Sequence, residues 1–287
     1  MRGMSLPAGD SAQSADRVVL LAAAYLHVPA RRLRALLRGQ ERDLKEWVAE
    51  DKARKVAHAR HEAKEALQRL RKLGGHVLTI ADGDYPAGLL DLEEPPAFLC
   101  VRGTLPQGGI AIVGSRTPPA PAAAFARELA AQCGMPVVSG LAAGIDAAAH
   151  HGALDAGAAT AAYVGTGLGV TYPPEHRALE DEIVARGGAV ASERLPDEPV
   201  TKWALVHRDR LQAAHAIATI LIASEVDGGA MQTMHFAKSL GRTRFVLDAQ
   251  GQAEYGGNVQ ARADGAIALP FDVKGALRIL HANLRSR

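Results

Sequence analysis

The apolar run Ile110-Ala-Ile-Val113 ends in Gly114-Ser115-Arg116, and Pro118-Pro119 and an alanine-rich segment follow. This order reads as a buried strand that stops at a glycine and passes into a helix. Such a turn suits an anion. The backbone can approach a ligand closely at the glycine, and the helix start offers unpaired N–H groups and a positive dipole end. Arg116 adds a permanent charge on a planar fork of donors. The chemistry implied is phosphate binding. Three other segments have the same character. Ser139-Gly140-Leu-Ala-Ala-Gly144-Ile-Asp146, Gly165-Thr166-Gly167-Leu-Gly169 and Ser224-Glu-Val-Asp-Gly228-Gly229 each follow a short apolar run. One Gly-rich turn says little, whereas four around one rim make a phosphate-binding floor.

These turns need a scaffold that brings them to one edge. Short apolar runs at 110–113, 136–139, 160–164, 189–192, 218–223 and 243–247 alternate with helical patterns at 120–133, 145–156, 174–185 and 230–240. Strands that are apolar throughout and separated by helices predict an α/β fold with a parallel sheet covered on both faces. Ligands of such sheets bind beyond the carboxyl ends of the strands, where the four turns fall. Upstream, residues 17–73 read as helical, with Leu67, Leu70 and Leu73 on one face and Gly74-Gly75 as the stop. Strands are expected at 76–80 and 97–102. The expected division is a small helical N-terminal domain over 1–74 and a sheet domain over 75–287 with a short basic helix at 272–284.

At 287 residues and 48% hydrophobic content, a sizeable core can form, and with 4% aromatic residues it must be mostly Ala, Val, Leu and Ile. Cys100 and Cys133 lie in apolar surroundings without metal or redox spacing and read as buried free thiols of a cytoplasmic protein. No apolar run is long enough to span a membrane, and the N-terminus lacks the order of a secretory signal. The formal net charge of +2 hides an asymmetry. Residues 31–72 hold 14 Lys or Arg against 7 Asp or Glu, a balance of +7, which leaves −5 for the rest. Such a lobe either meets a polyanion or is a solvated, ion-paired helix surface.

With the rim assembled, the chain resembles the DNA-processing protein A family, also called Smf. The resemblance is carried by Gly114-Ser-Arg116, by Ser139-Gly-Leu-Ala-Ala-Gly-Ile-Asp-Ala-Ala-Ala-His150, and by Gly165-Thr-Gly167 with Tyr172-Pro-Pro-Glu175. It extends upstream through Asp84-Tyr-Pro86, Pro95-Pro96 and Val101-Arg-Gly103, and downstream through Arg208-Asp-Arg210, Thr233 and Gly265-Ala266. It covers about 75–270. It implies an extended Rossmann-like domain that binds single-stranded DNA, protects it during natural transformation and helps load a RecA-type recombinase. It also implies a homodimer, with no catalytic turnover and no cofactor. A single strand is held by its phosphates, so the expected contacts are Gly114, Ser115, Arg116, Ser139, Gly140, Gly144, Gly165, Thr166 and Gly167. Lys202, Arg208 and Arg210 on the next long connection, with Gly228, Gly229 and Thr233, complete the set. If Arg116, Lys202, Arg208 and Arg210 each neutralise one phosphate, the log–log salt slope is roughly −3.

Each residue also has a plainer role open to it. Arg116 can tie two loops together, and Arg208 and Arg210 can pair with Asp209 or Glu193. Asp146 at a helix start reads as a cap and loop brace, and His150 as a packed helix residue. Trp203 is either a stacking surface or part of the core. No His, Cys or carboxylate cluster has metal-ligand spacing.

The chain departs from the family in three places. Ala204-Leu-Val-His-Arg-Asp-Arg-Leu-Gln212 stands where the family has Phe-Pro-x-Arg-Asn-Arg-Ile-Ile, so an aromatic and an Asn are missing. Asp227-Gly-Gly-Ala-Met-Gln-Thr233 replaces a longer loop with Ser-Gly-Ser, and no winged-helix segment follows 272–284. The same sheet serves two other activities, a nucleotide phosphoribohydrolase and a sensor of nucleotide-derived ligands. The hydrolase needs a glutamate pair on the helix that here reads Met231-Gln-Thr-Met-His-Phe-Ala, which has no carboxylate. The sensor is the main alternative to a single-stranded-DNA mediator. Neither sequence-specific nor duplex recognition is expected.

Overall fold

The structure, a computed structural model, describes residues 10–37, 53–248 and 255–284. Part of the basic segment between 38 and 52 therefore lies outside the described residues. The sheet has nine strands in the order β1-β2-β6-β5-β4-β3-β7-β8-β9. Its parallel part is β3 (Ile110–Val113), β4 (Val137–Ser139), β5 (Thr160–Tyr163), β6 (Ala189–Ser192), β7 (Ala218–Leu221), β8 (Thr243–Leu247) and β9 (Ile267–Leu269). The fold class expected from the sequence is the one observed, and β3 to β8 lie within about two residues of the apolar runs. β9 gives no sequence signal, because three residues are too few to show a period.

β1 (Gly75–Thr79) and β2 (Phe98–Gly103) extend the sheet beyond β6 and run antiparallel. The chain between them carries a short 3₁₀ turn, Ala87–Asp91, and no crossover helix, so β2 returns beside β1 in the opposite direction.

The two faces of β3 show why the run is apolar at every position. Ile110 and Ile112 pack against α4 (Ala120–Gln132), α5 (Ile145–Asp155) and α11 (Val273–Leu284). Ala111 faces the other way, toward Leu89, Leu211 and Ala214. Period-2 alternation with both faces buried gives a continuous hydrophobic run. Further helices are α6 (Arg177–Ala185), α7 (Lys202–His207), α8 (Asp209–His215), α9 (Ala230–Ser239) and α10 (Gly256–Ala263).

The N-terminal helices are α1 (Asp10–Tyr25), α2 (Ala30–Leu37) and α3 (Ala53–Lys72). Packing is continuous across residue 74, where the sequence suggests a change of domain. Leu20, Leu21 and Leu70 share one cluster with Val77, Cys100, Leu154 and Val190. Arg69 pairs with Asp197 at 2.6 Å, and Arg34 donates to the Pro95 carbonyl at 2.8 Å. Cys100 and Cys133 are free and buried, and burial pushes the Cys100 thiol up to about 12. Among the described residues, no helix is long and apolar enough to cross a membrane.

β3 passes to β4 on one side and has β7 on the other, so the chain reverses direction across the sheet at this pair. This is the topological switch point of an open α/β sheet, where the loops diverge and leave a crevice.

Candidate functional site

An open cleft of about 420 Å³ lies at that switch point. One wall is 113–117 beyond β3, and the opposite wall is Ser224, Glu225, Gly228, Gly229, Ala230 and Thr233 beyond β7. Its floor and third side come from Asp146, Arg208, Asp209 and Gln212, and from Leu205 and Val206 of α7.

The β3 loop is fixed by its backbone. The Ser115 N–H donates to the Ala223 carbonyl at 2.7 Å, and the Ile145 N–H donates to the Ser115 carbonyl at 3.1 Å. Ser115 Oγ accepts the Thr117 N–H at 3.1 Å. Gly114 is required by packing, since a Cβ there would sit 2.6 Å from Ile145 Cγ1. Arg116 is exposed and forms no ion pair among the described residues. Opposite it, Gly229 and Ala230 open α9, and Thr233 is buried one turn in. A free guanidinium and a helix N-terminus on one cleft suit a phosphate group.

Beneath the rim, several residues expected to touch phosphate do other work. Ser139 is fully buried, and its Oγ donates to the Ile112 carbonyl at 2.7 Å, tying β4 to β3. Gly165, Thr166 and Gly167 are buried under the 195–205 segment. The Gly167 N–H donates to the Glu198 carbonyl at 2.9 Å, and Thr166 Oγ1 donates to the Val170 carbonyl at 2.7 Å. A Cβ on Gly165 would sit 3.0 Å from the Leu205 nitrogen. The third loop is thus roofed over, and the expected four-loop rim is a cleft between the β3 and β7 loops, with Ala142 of the β4 loop and Asp146 of α5 at its base. Gly144 opens α5, with Ser115 and Arg116 backbone oxygens too close to admit a side chain.

Arg208 and Arg210 require a correction. Arg208 is buried, donating through Nη1 to the Tyr163 carbonyl at 3.0 Å and through Nε to the Leu205 carbonyl at 3.2 Å. Its Nε also lies 3.2 Å from Asp209 Oδ1. The guanidinium lies against Gly140, where a Cβ would fall 1.2 Å from Nη1. It braces the floor and offers a phosphate little surface. Arg210 Nη2 reaches both Glu193 oxygens at 2.5 and 2.6 Å. Lys202, by contrast, is exposed at the start of α7 without an ion pair among the described residues. Of the four cations expected to track phosphates, Arg116 and Lys202 are free to do so.

Asp146 is the loop brace expected. Its Oδ2 accepts the Gly140 N–H at 3.1 Å and the Ala142 N–H at 3.3 Å. These bonds flank Leu141, which is held in the left-handed region at φ 62°. Burial pushes the Asp146 carboxyl up, and Arg208 opposes the shift. His150 is buried on α5 and contacts Thr160 Oγ1 of β5 at 2.8 Å.

Asp209 and Gln212 are the site residues that motif reading passed over. With Leu205 and Arg208 they recur at helical spacing on the side facing the cleft, which is a readable signal. Gln212 Nε2 donates to Asp209 Oδ1 at 3.1 Å, and its buried Oε1 has no partner. Burial pushes the Asp209 carboxyl from 3.8 up to about 6, with Arg208 and, more weakly, Arg116 pulling it down and Asp146 pushing it up.

The sign of that shift sets a stability prediction. Because the folded value lies above the unfolded one, the folded protein holds this proton more readily. The ionised side chain therefore costs stability at neutral pH, about 3 kcal/mol for this displacement, and the cost disappears below about pH 4. Asp209→Asn removes the titration. Urea unfolding of both proteins should show the variant's relative stability growing from about pH 4 to about pH 6 and level above that. A difference independent of pH contradicts the assignment.

Among the described residues, no group of three or more His, Cys, Asp or Glu could hold a metal ion.

Comparison with known proteins bears on the family and the fold. The family described as DNA recombination-mediator protein A matches residues 76–276. The chain is 34% identical over 180 residues to the protein Smf of Synechocystis, covering 59% of this chain and 45% of that one. It is 33% identical over 176 residues to the DNA processing protein DprA of Streptococcus pneumoniae, covering 59% and 61%. The chain spans about half the length of several curated relatives it matches. The crystal structure of S. pneumoniae DprA superposes with a TM-score of 0.70 at 23% identity, over 93% of this chain and 95% of that one. DNA processing protein A from Helicobacter pylori, studied for its single-stranded DNA binding mode, superposes at 0.63 and 24% identity, over 72% and 97%. At these identities the superpositions show a shared fold.

Proposed function

The chain belongs to the DNA recombination-mediator protein A family, and from that premise we propose that it binds single-stranded DNA in the cleft between the β3 and β7 loops and acts as a recombination mediator. The observation that carries the reading is Arg116, exposed and without an ion pair among the described residues, on the same cleft as the start of α9. A cation left free at a switch point awaits an anion. The cleft is open, as a polymer that enters and leaves requires. Lys202 extends the positive track along α7. Binding through backbone phosphates gives affinity without base sequence.

The reading includes a cytoplasmic location, a homodimer and a RecA-type recombinase as the receiver of the strand. Family resemblance is the support for these three.

A sensor of a nucleotide-derived ligand is the second reading, and one observation favours it. Asp209 and the unpartnered Gln212 Oε1 are buried acceptors in a cleft of about 420 Å³, within the range of small-molecule sites. The two readings separate by displacement of a labelled homopolymeric single strand. An unlabelled single strand should displace it, and a mononucleotide or a duplex should do so far less well.

A further inference from the structure

α7 is a partition between two cavities. Leu205 and Val206 line the switch-point cleft. Trp203, Ala204 and His207 line a larger cavity of about 630 Å³, which reaches Tyr25, His27 and Val28 of the N-terminal helical region. Arg208 lies at the base of both.

Trp203 is 61% exposed, which is unusual for the largest apolar side chain. It does not belong to any of the buried clusters. Its indole is nevertheless held in place, with the Arg194 guanidinium over the ring at 6.0 Å from its centroid. The His207 ring stacks on it, 4.3 Å between centroids and 18° between planes. His207 is fixed in turn, because its Nε2 accepts the Arg210 Nε–H at 3.2 Å and Arg210 is gripped by Glu193. Burial and the positive charges of Arg210 and Arg194 push His207 down to about 4, so the ring behind the indole is neutral at physiological pH. A rigid, exposed aromatic face loses little conformational entropy on stacking.

Charge tells which part of a strand would come here. The cations around the larger cavity are matched by carboxylates, Arg194 with Glu198 and Arg210 with Glu193. That leaves little positive potential for a phosphate and an apolar, aromatic surface for a base. The exposed Lys202, adjacent to Trp203, leaves a charge for the backbone at the same point.

We propose that Trp203 is a stacking platform for a base of the single strand whose phosphates lie at Arg116, so that the strand crosses α7 from the switch-point cleft toward the larger cavity. This inference rests on the reading of the cleft as a single-strand site. Stacking on an aromatic side chain accepts any base, because each presents a π-face.

The test compares the full chain with Trp203→Ala, Trp203→Phe and Arg116→Ala. Two labelled probes are used, an oligothymidylate and a strand of the same length made of abasic deoxyribose phosphates. Trp203→Ala should weaken oligothymidylate binding about tenfold, and Trp203→Phe should stay within about threefold of the parent. The abasic strand should bind the parent and Trp203→Ala equally. Unchanged oligothymidylate binding by Trp203→Ala overturns the proposal. So does an equal loss on both probes, which makes Trp203 a support of α7 rather than a base contact. If Arg116→Ala also leaves oligothymidylate binding intact, the reading of the cleft fails along with the platform. If Arg116→Ala weakens binding and Trp203→Ala does not, only the platform fails.

Discussion

Replacing Arg116 with Ala should weaken binding to a labelled oligothymidylate at least tenfold while the melting temperature stays within about 1 °C. The expectation follows from what Arg116 touches. It is exposed and free of ion pairs among the described residues, so truncation costs the fold almost nothing. Its charge stands at the mouth of the cleft, where a bound phosphate would also meet the start of α9. A charge-assisted contact to phosphate at such a place is worth about 1.5–3 kcal/mol, which is at least tenfold. Salt gives an independent reading of the same contact. With Arg116 and Lys202 as the free cations, the log–log slope for the parent protein should be about −1.4, from about −0.7 per phosphate. That is half the value that four tracking cations would give. Arg116→Ala should reduce it by about 0.7. Anisotropy titrations over a range of salt measure both quantities. An unchanged affinity, or a parent slope near −3, contradicts the assignment.

Arg208 should behave in the opposite manner. Its guanidinium is buried between two backbone carbonyls and Asp209, and it opposes the desolvation of Asp146. Arg208→Ala leaves Asp209 and Asp146 without their nearby countercharge, deprives the Tyr163 and Leu205 carbonyls of a donor, and opens a void against Gly140. Removing one partner from a buried charged cluster typically costs about 3–5 kcal/mol. For a domain of this size that lowers the melting temperature by about 10 °C. Calorimetry or denaturant unfolding measures the loss. DNA binding should fall with the unfolding and recover as the temperature is lowered. An Arg208→Ala protein of parental stability but without affinity for DNA would return Arg208 to the phosphate track.

Much of the architecture was readable in the residues. The strands β3 to β8 are short and buried on both faces, so each appears as an uninterrupted apolar run, and the intervening helices leave a 3.6-residue pattern. The switch-point loop was readable at Gly114-Ser115-Arg116 for the same reason. The two edges of the sheet were less so. β9 has three residues, and the antiparallel turn of β1 and β2 depends on a connection that forms no helix.

Which of the polar residues at the strand ends look into the cleft was not legible. Ser139, Thr166 and Ser115 all stand at strand ends beside glycines, and their sequence surroundings are alike. Ser139 points into the sheet toward the Ile112 carbonyl, and Thr166 lies under the 195–205 segment, because loop paths set by distant contacts decide their direction. The pairing of Arg210 with Glu193 spans 17 positions and exists only once α8 packs beside the end of β6. Asp209 shows the opposite error. Standing between two arginines, it reads as their partner, and it is also part of the cleft floor, with a carboxyl pushed up to about 6.

The function of the cleft turns on whether it holds a strand or a single nucleotide. The most direct measurement is displacement of a labelled homopolymeric single strand from the full chain at one stated salt concentration, with unlabelled single strand, duplex of the same length and mononucleotide as competitors. The single strand should compete at least tenfold better than either of the others. A mononucleotide that displaces the strand at equal or lower concentration contradicts strand binding and makes the cleft the site of a nucleotide sensor.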